Sequence, residues 1–249
     1  MSNPQDVNPY ATPAKFAQLP PPDGGVRPIG PALPWEPMAA LRFGWDAVLR
    51  QPLAVLAVIV SAAVGSALTF VGALANLALS RENPALGLTI YGCCFVLGLP
   101  LQLWMQVGLL RYFVKLARGQ APAFGEIFAG GPLWAYLGLT LLMGLALIFG
   151  FLLLIVPGVI LALGWSAAQY LVADRRMGVI ESLGASWRAT NGHKVSILLL
   201  ALLCFVALCV GMLALCIGYL VAIPVCMVAA AYAYLKITGE EPVLPPKFS

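Results

Sequence analysis

Three stretches of the chain, residues 51–80, 133–173 and 195–235, contain no Asp, Glu, Lys, Arg or His, and a fourth, Leu86–Leu110, is equally free of charge. Within them apolar residues run almost without interruption, as a helix in lipid requires. Leu53–Leu79 predicts a first span, the turn Arg81-Glu82-Asn83-Pro84 follows, and Leu86–Leu110 predicts a second, bent near Pro100. The runs 133–173 and 195–235 are too long for one crossing: 41 residues would extend about 60 Å as a helix, twice the ~30 Å hydrocarbon core. Each must therefore fold back. Pro157-Gly158 is the expected reversal in the first and Cys216-Ile217-Gly218 in the second, which gives further spans at about 133–155, 158–173, 195–215 and 218–235.

Patterns outside the spans add three features. Trp35, Met38, Leu41, Trp45 and Leu49 recur at helical spacing, with Arg42, Asp46 and Arg50 opposite, predicting an amphipathic helix on the membrane surface. Pro37–Leu56 aligns on Val179–Leu198, with Leu41 on Leu183, Trp45 on Trp187 and Ala47 on Ala189, and a weaker copy runs from Phe124 through Trp134. The chain so reads as three hairpins, each preceded by an interfacial element. Ten of the twenty prolines fall in the first 37 residues, so residues 1–33 are expected to form a disordered Pro-rich tail; residues 238–249 form a short second tail.

Composition supports the membrane reading. Residues of the AVILMFWYC set make up 61% of 249 positions and charged residues 10%, against roughly 45–50% and 25% in a soluble domain, which leaves too little charge to cover an aqueous surface. The expected class is all-α: a polytopic membrane protein of six transmembrane helices in three hairpins with cytoplasmic interfacial helices. Thirteen of the fourteen Lys and Arg residues fall on one side of this topology and only Arg81 on the other, so the positive-inside rule puts both termini in the cytoplasm. The first residues lack the basic and short apolar segments of a cleaved signal, so insertion is expected to rely on the first span. The net charge of +4 then has a topological origin and implies no nucleic-acid partner.

Candidate chemistry is sparse. His193 is the only histidine and has no nucleophile or metal ligand spaced near it, and no HExxH, P-loop, nucleophile elbow or paired-carboxylate motif occurs, so an enzyme is not expected. The six cysteines lie in apolar segments and read as small hydrophobes. Cys209, Met212 and Cys216 would place three sulfurs on one helix face, but no further ligand cluster leads to them, and neither metal nor cofactor is assigned. Asn76, Gln102, Gln106 and Gln169 are polar at membrane depth; they would serve either as helix-to-helix hydrogen bonds or as a solute path. Arg42, Arg50, Arg111, Lys115, Arg118, Arg175, Arg176, Arg188 and Lys194 cluster at the boundary, where they would either contact lipid headgroups or only fix topology and pair with nearby acidic residues.

The order Pro157-Gly158, Trp165, Asp174, Glu181-Ser182-Leu183, Ser186 and Gly192 resembles bacterial six-helix membrane proteins, namely the membrane domain attached to glycerophosphoryl diester phosphodiesterases and the YciC-like group. The resemblance covers about 45 residues and implies a fold and a bacterial inner-membrane location. It implies no catalytic residue, because the phosphodiesterase domain itself has no counterpart here. The functional expectation is an accessory or scaffold protein that binds lipids, or a protein partner through residues 1–33. A transporter or pore for a small or lipidic solute is the alternative, and the oligomeric state is not encoded in any pattern.

Overall fold

The computed structural model describes residues 29–213 and 217–247. Residues 1–28 of the expected 1–33 tail, together with Cys216 and the turn around it, lie outside these residues. Nine α-helices occur among the described residues: α1 Pro37–Arg50, α2 Leu53–Leu79, α3 Pro84–Ala117, α4 Leu133–Leu153, α5 Ile155–Gly164, α6 Ala168–Arg175, α7 Val179–Thr190, α8 Lys194–Leu213 and α9 Ile217–Ile237; a 3₁₀ helix covers Phe124–Ala129. Six of the resulting rods are long and apolar enough to cross a membrane, with α5 and α6 counted together as one rod. The protein is an all-helical membrane protein of six spans.

The rods pair in chain order. Asn83 caps α3, its Oδ1 accepting from Leu86 N–H at 3.1 Å, and Pro84 occupies the first helical turn, where its missing N–H leaves no acceptor unsatisfied. The helix continues unbroken through Pro100 and runs seven residues past the expected end at Leu110. The second hairpin reverses at Leu154, in extended conformation (φ −165°, ψ 145°), three residues before the expected Pro157-Gly158. Those two residues instead lie in the first turn of α5. Proline is tolerated in a first turn, and Gly158 has another use: a Cβ there would lie 2.7 Å from the Phe151 ring, so α4 and α5 meet at this point.

The segments Pro37–Leu56 and Val179–Leu198 each contain a short helix, α1 and α7, leading into a span. The face of α1 that packs is not the bulky one. Ala40, Gly44, Ala47 and Val48 are buried while Met38, Trp45 and Leu49 are exposed. At Gly44 an added Cβ would lie 2.4 Å from the carbonyl oxygen of Val225, so the backbones of α1 and α9 approach too closely for a side chain. Lipid does not drive helices together through the hydrophobic effect, and close packing of small residues replaces it. The large apolar residues of α1 remain available to the bilayer.

Gly44→Leu is expected to lift α1 off α9 and destabilise the protein by about 1–3 kcal/mol, the range for overpacking a tight contact. The measurement is the thermal midpoint in detergent, with the exposed Ala39→Leu as the control. Equal midpoints for both variants would mean that α1 is not docked on α9.

Candidate functional site

The basic end of the bundle is closed by a buried ionic cluster drawn from all three hairpins. Arg118, at the end of α3, donates from Nη1 and Nη2 to the two Asp174 carboxylate oxygens at 2.7 and 2.6 Å, and from Nε and Nη2 to Glu240 at 2.8 and 3.2 Å. Arg175 Nη2 donates to Glu240 at 2.9 Å, and its Nε donates to the Tyr234 hydroxyl at 3.1 Å. Tyr234 in turn donates to Asp174 Oδ2 at 3.0 Å and stacks on Tyr170, with ring centroids 5.2 Å apart. Two cations, two anions and a phenol thus satisfy one another out of water. Burial by itself would lower the pKa of the Arg118 guanidinium, but its hydrogen bonds to Asp174 and Glu240 outweigh this and raise it.

The C-terminal segment holds the cluster in place. Val243 N–H donates to Ala117 O at 2.9 Å, Gln51 Nε2 donates to Pro246 O at 2.9 Å and Arg50 Nη1 donates to Pro245 O at 3.3 Å. Residues 30 and 33, within the expected tail, bond to this end as well: Gly30 N–H donates to Thr238 O and Leu33 N–H to Lys236 O, at 3.0 and 2.9 Å.

A second polar arrangement sits at the break between α5 and α6. Ala168 N–H bonds Trp165 O rather than Gly164 O, which frees the Gly164 carbonyl. Ser186 Oγ and Thr190 Oγ1 of α7 donate to it at 2.8 and 3.1 Å. The Trp187 ring lies where a Cβ of residue 164 would be, at 2.3 Å. Most of the motif residues are therefore structural: Asp174 in the ionic cluster, Ser186 at the break, Ser182 bonded to Val179 O and Gly192 in a left-handed turn (φ 88°). Trp165 ends α5 and packs against the second hairpin's core, and Glu181 is exposed in the first turn of α7.

For Arg118 and Arg175 the headgroup reading needs correction. Arg118 and Arg175 do not face lipid headgroups; their side chains are 12% and 2% exposed and locked in the cluster. Asn76, Gln102, Gln106 and Gln169 make no side-chain hydrogen bond among the described residues, and Gln102 and Gln106 are exposed on α3. The other basic residues divide. Lys115 pairs with Glu126, Lys194 lies 4.0 Å over the Trp187 ring, Arg111 Nη1 donates to Gly130 O at 2.6 Å, and Arg42, Arg176 and Arg188 are exposed.

Two adjoining cavities flank α1. The first, about 660 Å³, lies between α1, α8 and α9; Leu203, Val206, Val210, Ala222 and Val225 make its wall apolar, and Arg42, Trp45 and Asp46 stand on the α1 side. The second, about 420 Å³, is lined by Glu36, Phe43, Tyr232 and Leu244, and again by Arg42 and Asp46. These two charged residues are four apart on one helix, belong to both cavities, and make no ion pair or side-chain hydrogen bond among the described residues. No pattern in the sequence revealed the cavities, although the spacing of Arg42 and Asp46 was visible in it.

The chain is 27% identical over 231 residues to uncharacterised proteins of Mycobacterium tuberculosis (strain H37Rv) and Mycobacterium bovis, in alignments covering 86% of this chain and 70% of each relative. No family model matches the chain. No solved structure matches it significantly.

Asp174→Asn removes one anion and leaves Arg118 facing a single carboxylate, so it is expected to destabilise by about 3–5 kcal/mol, as for breaking other buried pairs. Glu241→Gln, at a half-made pair of 4.0 Å with a largely exposed carboxylate, should change stability by less than about 1 kcal/mol. Thermal or denaturant unfolding in detergent compares the two; equal small losses would contradict the cluster's role.

Proposed function

We propose that the protein is a non-enzymatic integral membrane protein that holds membrane lipid, acting as an accessory or scaffold. The carrying observation is the pair of cavities that share Arg42 and Asp46. An apolar cavity of about 660 Å³ beside two membrane-crossing helices is open to acyl chains, and the polar cavity beyond the shared mouth suits a headgroup. Arg42 would take the phosphate and Asp46 a headgroup amine or hydroxyl. The non-enzymatic reading is supported by the fate of the interior ionisable groups: Arg118, Asp174, Arg175, Tyr234 and Glu240 are committed to one another. With the basic end cytoplasmic by the positive-inside rule, both termini, the cluster and the lipid mouth share that side, and residues 1–33 are the segment offered to a protein partner.

A transport role rests on one separate observation. Gln102 and Gln106 lie one turn apart on an exposed face of α3, within the span, with no hydrogen bond among the described residues. Polar amides in that position suit a passing solute or headgroup. Flux of lipid or solute across reconstituted vesicles above that of empty ones, lost in a Gln102→Leu, Gln106→Leu variant, would favour this reading over the scaffold.

Ala207→Trp fills the apolar cavity from α8. In native mass spectrometry of gently extracted protein, the wild type is expected to carry at least one phospholipid that Ala207→Trp and Arg42→Gln lose, with folding unchanged by circular dichroism. Equal lipid occupancy in all three would refute the assignment.

A further inference from the structure

A separate pocket of about 260 Å³ lies at the basic end, lined by Trp104 and Arg111 of α3, by Ala129, Gly131 and Pro132 of the connection into α4, and by Arg176 after α6. Trp104 and Arg111 are seven residues apart and so share one face of their helix. The connection is fixed against that face: Trp104 Nε1 donates to Phe128 O at 3.1 Å and Arg111 to Gly130 O at 2.6 Å. Gly130 takes a positive φ (58°), and a Cβ there would strike the Trp104 ring at 2.4 Å. The walls are therefore preformed. One of the N–H donors of Arg111 is used in this way; Arg176 makes no side-chain hydrogen bond among the described residues, and no carboxylate lines the pocket. Two guanidinium groups on one small cavity repel each other unless an anion lies between them.

The backbone supplies an independent sign. Arg176 is the one described non-glycine residue with positive φ (54°, ψ 31°), at the C-terminal cap of α6 where glycine is favoured on steric grounds. An arginine held in this conformation is strained, and strained residues gather at binding sites.

We propose that Arg111 and Arg176 bind a phosphate ester beside Trp104, the guanidinium donors meeting its oxygens and the indole its adjoining carbon chain. Pro132 and Arg176 cap α4 and α6 at the basic end of the bundle, which sets the pocket where an anionic lipid presents its phosphate. The pocket shares no residue with the cavities beside α1, and its occupancy does not depend on theirs.

The test uses the full chain in nanodiscs of phosphatidylcholine with and without phosphatidylglycerol, comparing wild type, Arg176→Gly, Arg188→Gln and Ala207→Trp. Retention of phosphatidylglycerol after transfer to detergent, read by native mass spectrometry, should fall about tenfold or more in Arg176→Gly, the loss of a charged hydrogen bond. It should hold in Arg188→Gln, while Ala207→Trp should lose only the lipid of the α1 cavity and keep the Arg176-dependent one. The thermal midpoint of Arg176→Gly should stay the same or rise, because glycine relieves the left-handed conformation; a merely structural arginine would lower it. Calorimetric titration with inorganic phosphate in phosphatidylcholine nanodiscs distinguishes the source: Arg176-dependent heat there, with no selective retention of phosphatidylglycerol, assigns the pocket to a soluble phosphate ester. If Arg176→Gly matches wild type in both assays, the proposal is wrong.

Discussion

Fourteen basic and ten acidic residues serve a chain of 249, and four of these charges are placed where water hardly reaches them. Arg118, Asp174, Arg175 and Glu240 could be buried only together. An isolated ion there would lose several kcal/mol of hydration, whereas in the paired set each ion has an opposite charge in hydrogen-bond contact and the net charge is zero. The consequence is geometric. Asp174 lies 56 residues from Arg118, and Glu240 lies 122 from it, so the cluster exists only when the ends of α3, α6 and α9 converge. Hydrophobic burial does not distinguish one arrangement of apolar rods from another in lipid, but a charge network has only one satisfying arrangement.

Glycines set the closest approaches between elements. Gly108 illustrates the constraint: a Cβ on it would lie 1.8 Å from the carbonyl oxygen of Ile127, so the 3₁₀ helix rests directly on the backbone of α3. That contact helps seat the connection that walls the Trp104 and Arg111 pocket. At the α5–α6 break the same economy of space appears with polarity added, since Trp187 fills the volume over Gly164 while Ser186 and Thr190 satisfy the carbonyl that the break exposes. In lipid no water is at hand for that carbonyl, so a helix can be interrupted there only where a neighbouring helix brings hydroxyls. The pairing of a broken span with a Ser-rich surface helix follows from this rule.

The spans were legible because the absence of charge over 41 residues has only one physical reading. The position of the second reversal was missed by three residues. Composition marks Pro157-Gly158 as a breaker, yet proline disturbs only the interior of a helix, and here it falls in the first turn. The packed face of α1 was missed for a related reason. Periodicity picks out Met38, Trp45 and Leu49 as the apolar stripe, but the approach of α1 to α9 is set by Gly44, whose lack of a side chain carries no weight in a hydropathy pattern. For Arg118 and Arg175 the sequence left headgroup contact and pairing both open, because a one-sided excess of cations fits either. Only three-dimensional proximity of Asp174 and Glu240 separates those roles.

The tripeptide Asp174-Arg175-Arg176 compresses that separation into adjacent positions. Asp174 and Arg175 end α6 within the helix and turn into the cluster, one as acceptor for Arg118 and the other as donor to Glu240. At Arg176 the backbone switches to the left-handed region and the side chain emerges exposed. Two neighbouring arginines thereby have opposite surroundings, and the change of backbone hand between them is what divides them. The order of residues matters more than their composition at this corner: an exchange that kept both charges but moved the anion would leave Arg118 facing one carboxylate in place of two. A strained conformation at residue 176 is tolerated because the cluster fixes the residues before it and α7 fixes those after it. The rigidity that the buried charges confer on the end of α6 is therefore also what holds the exposed arginine at the rim of its pocket.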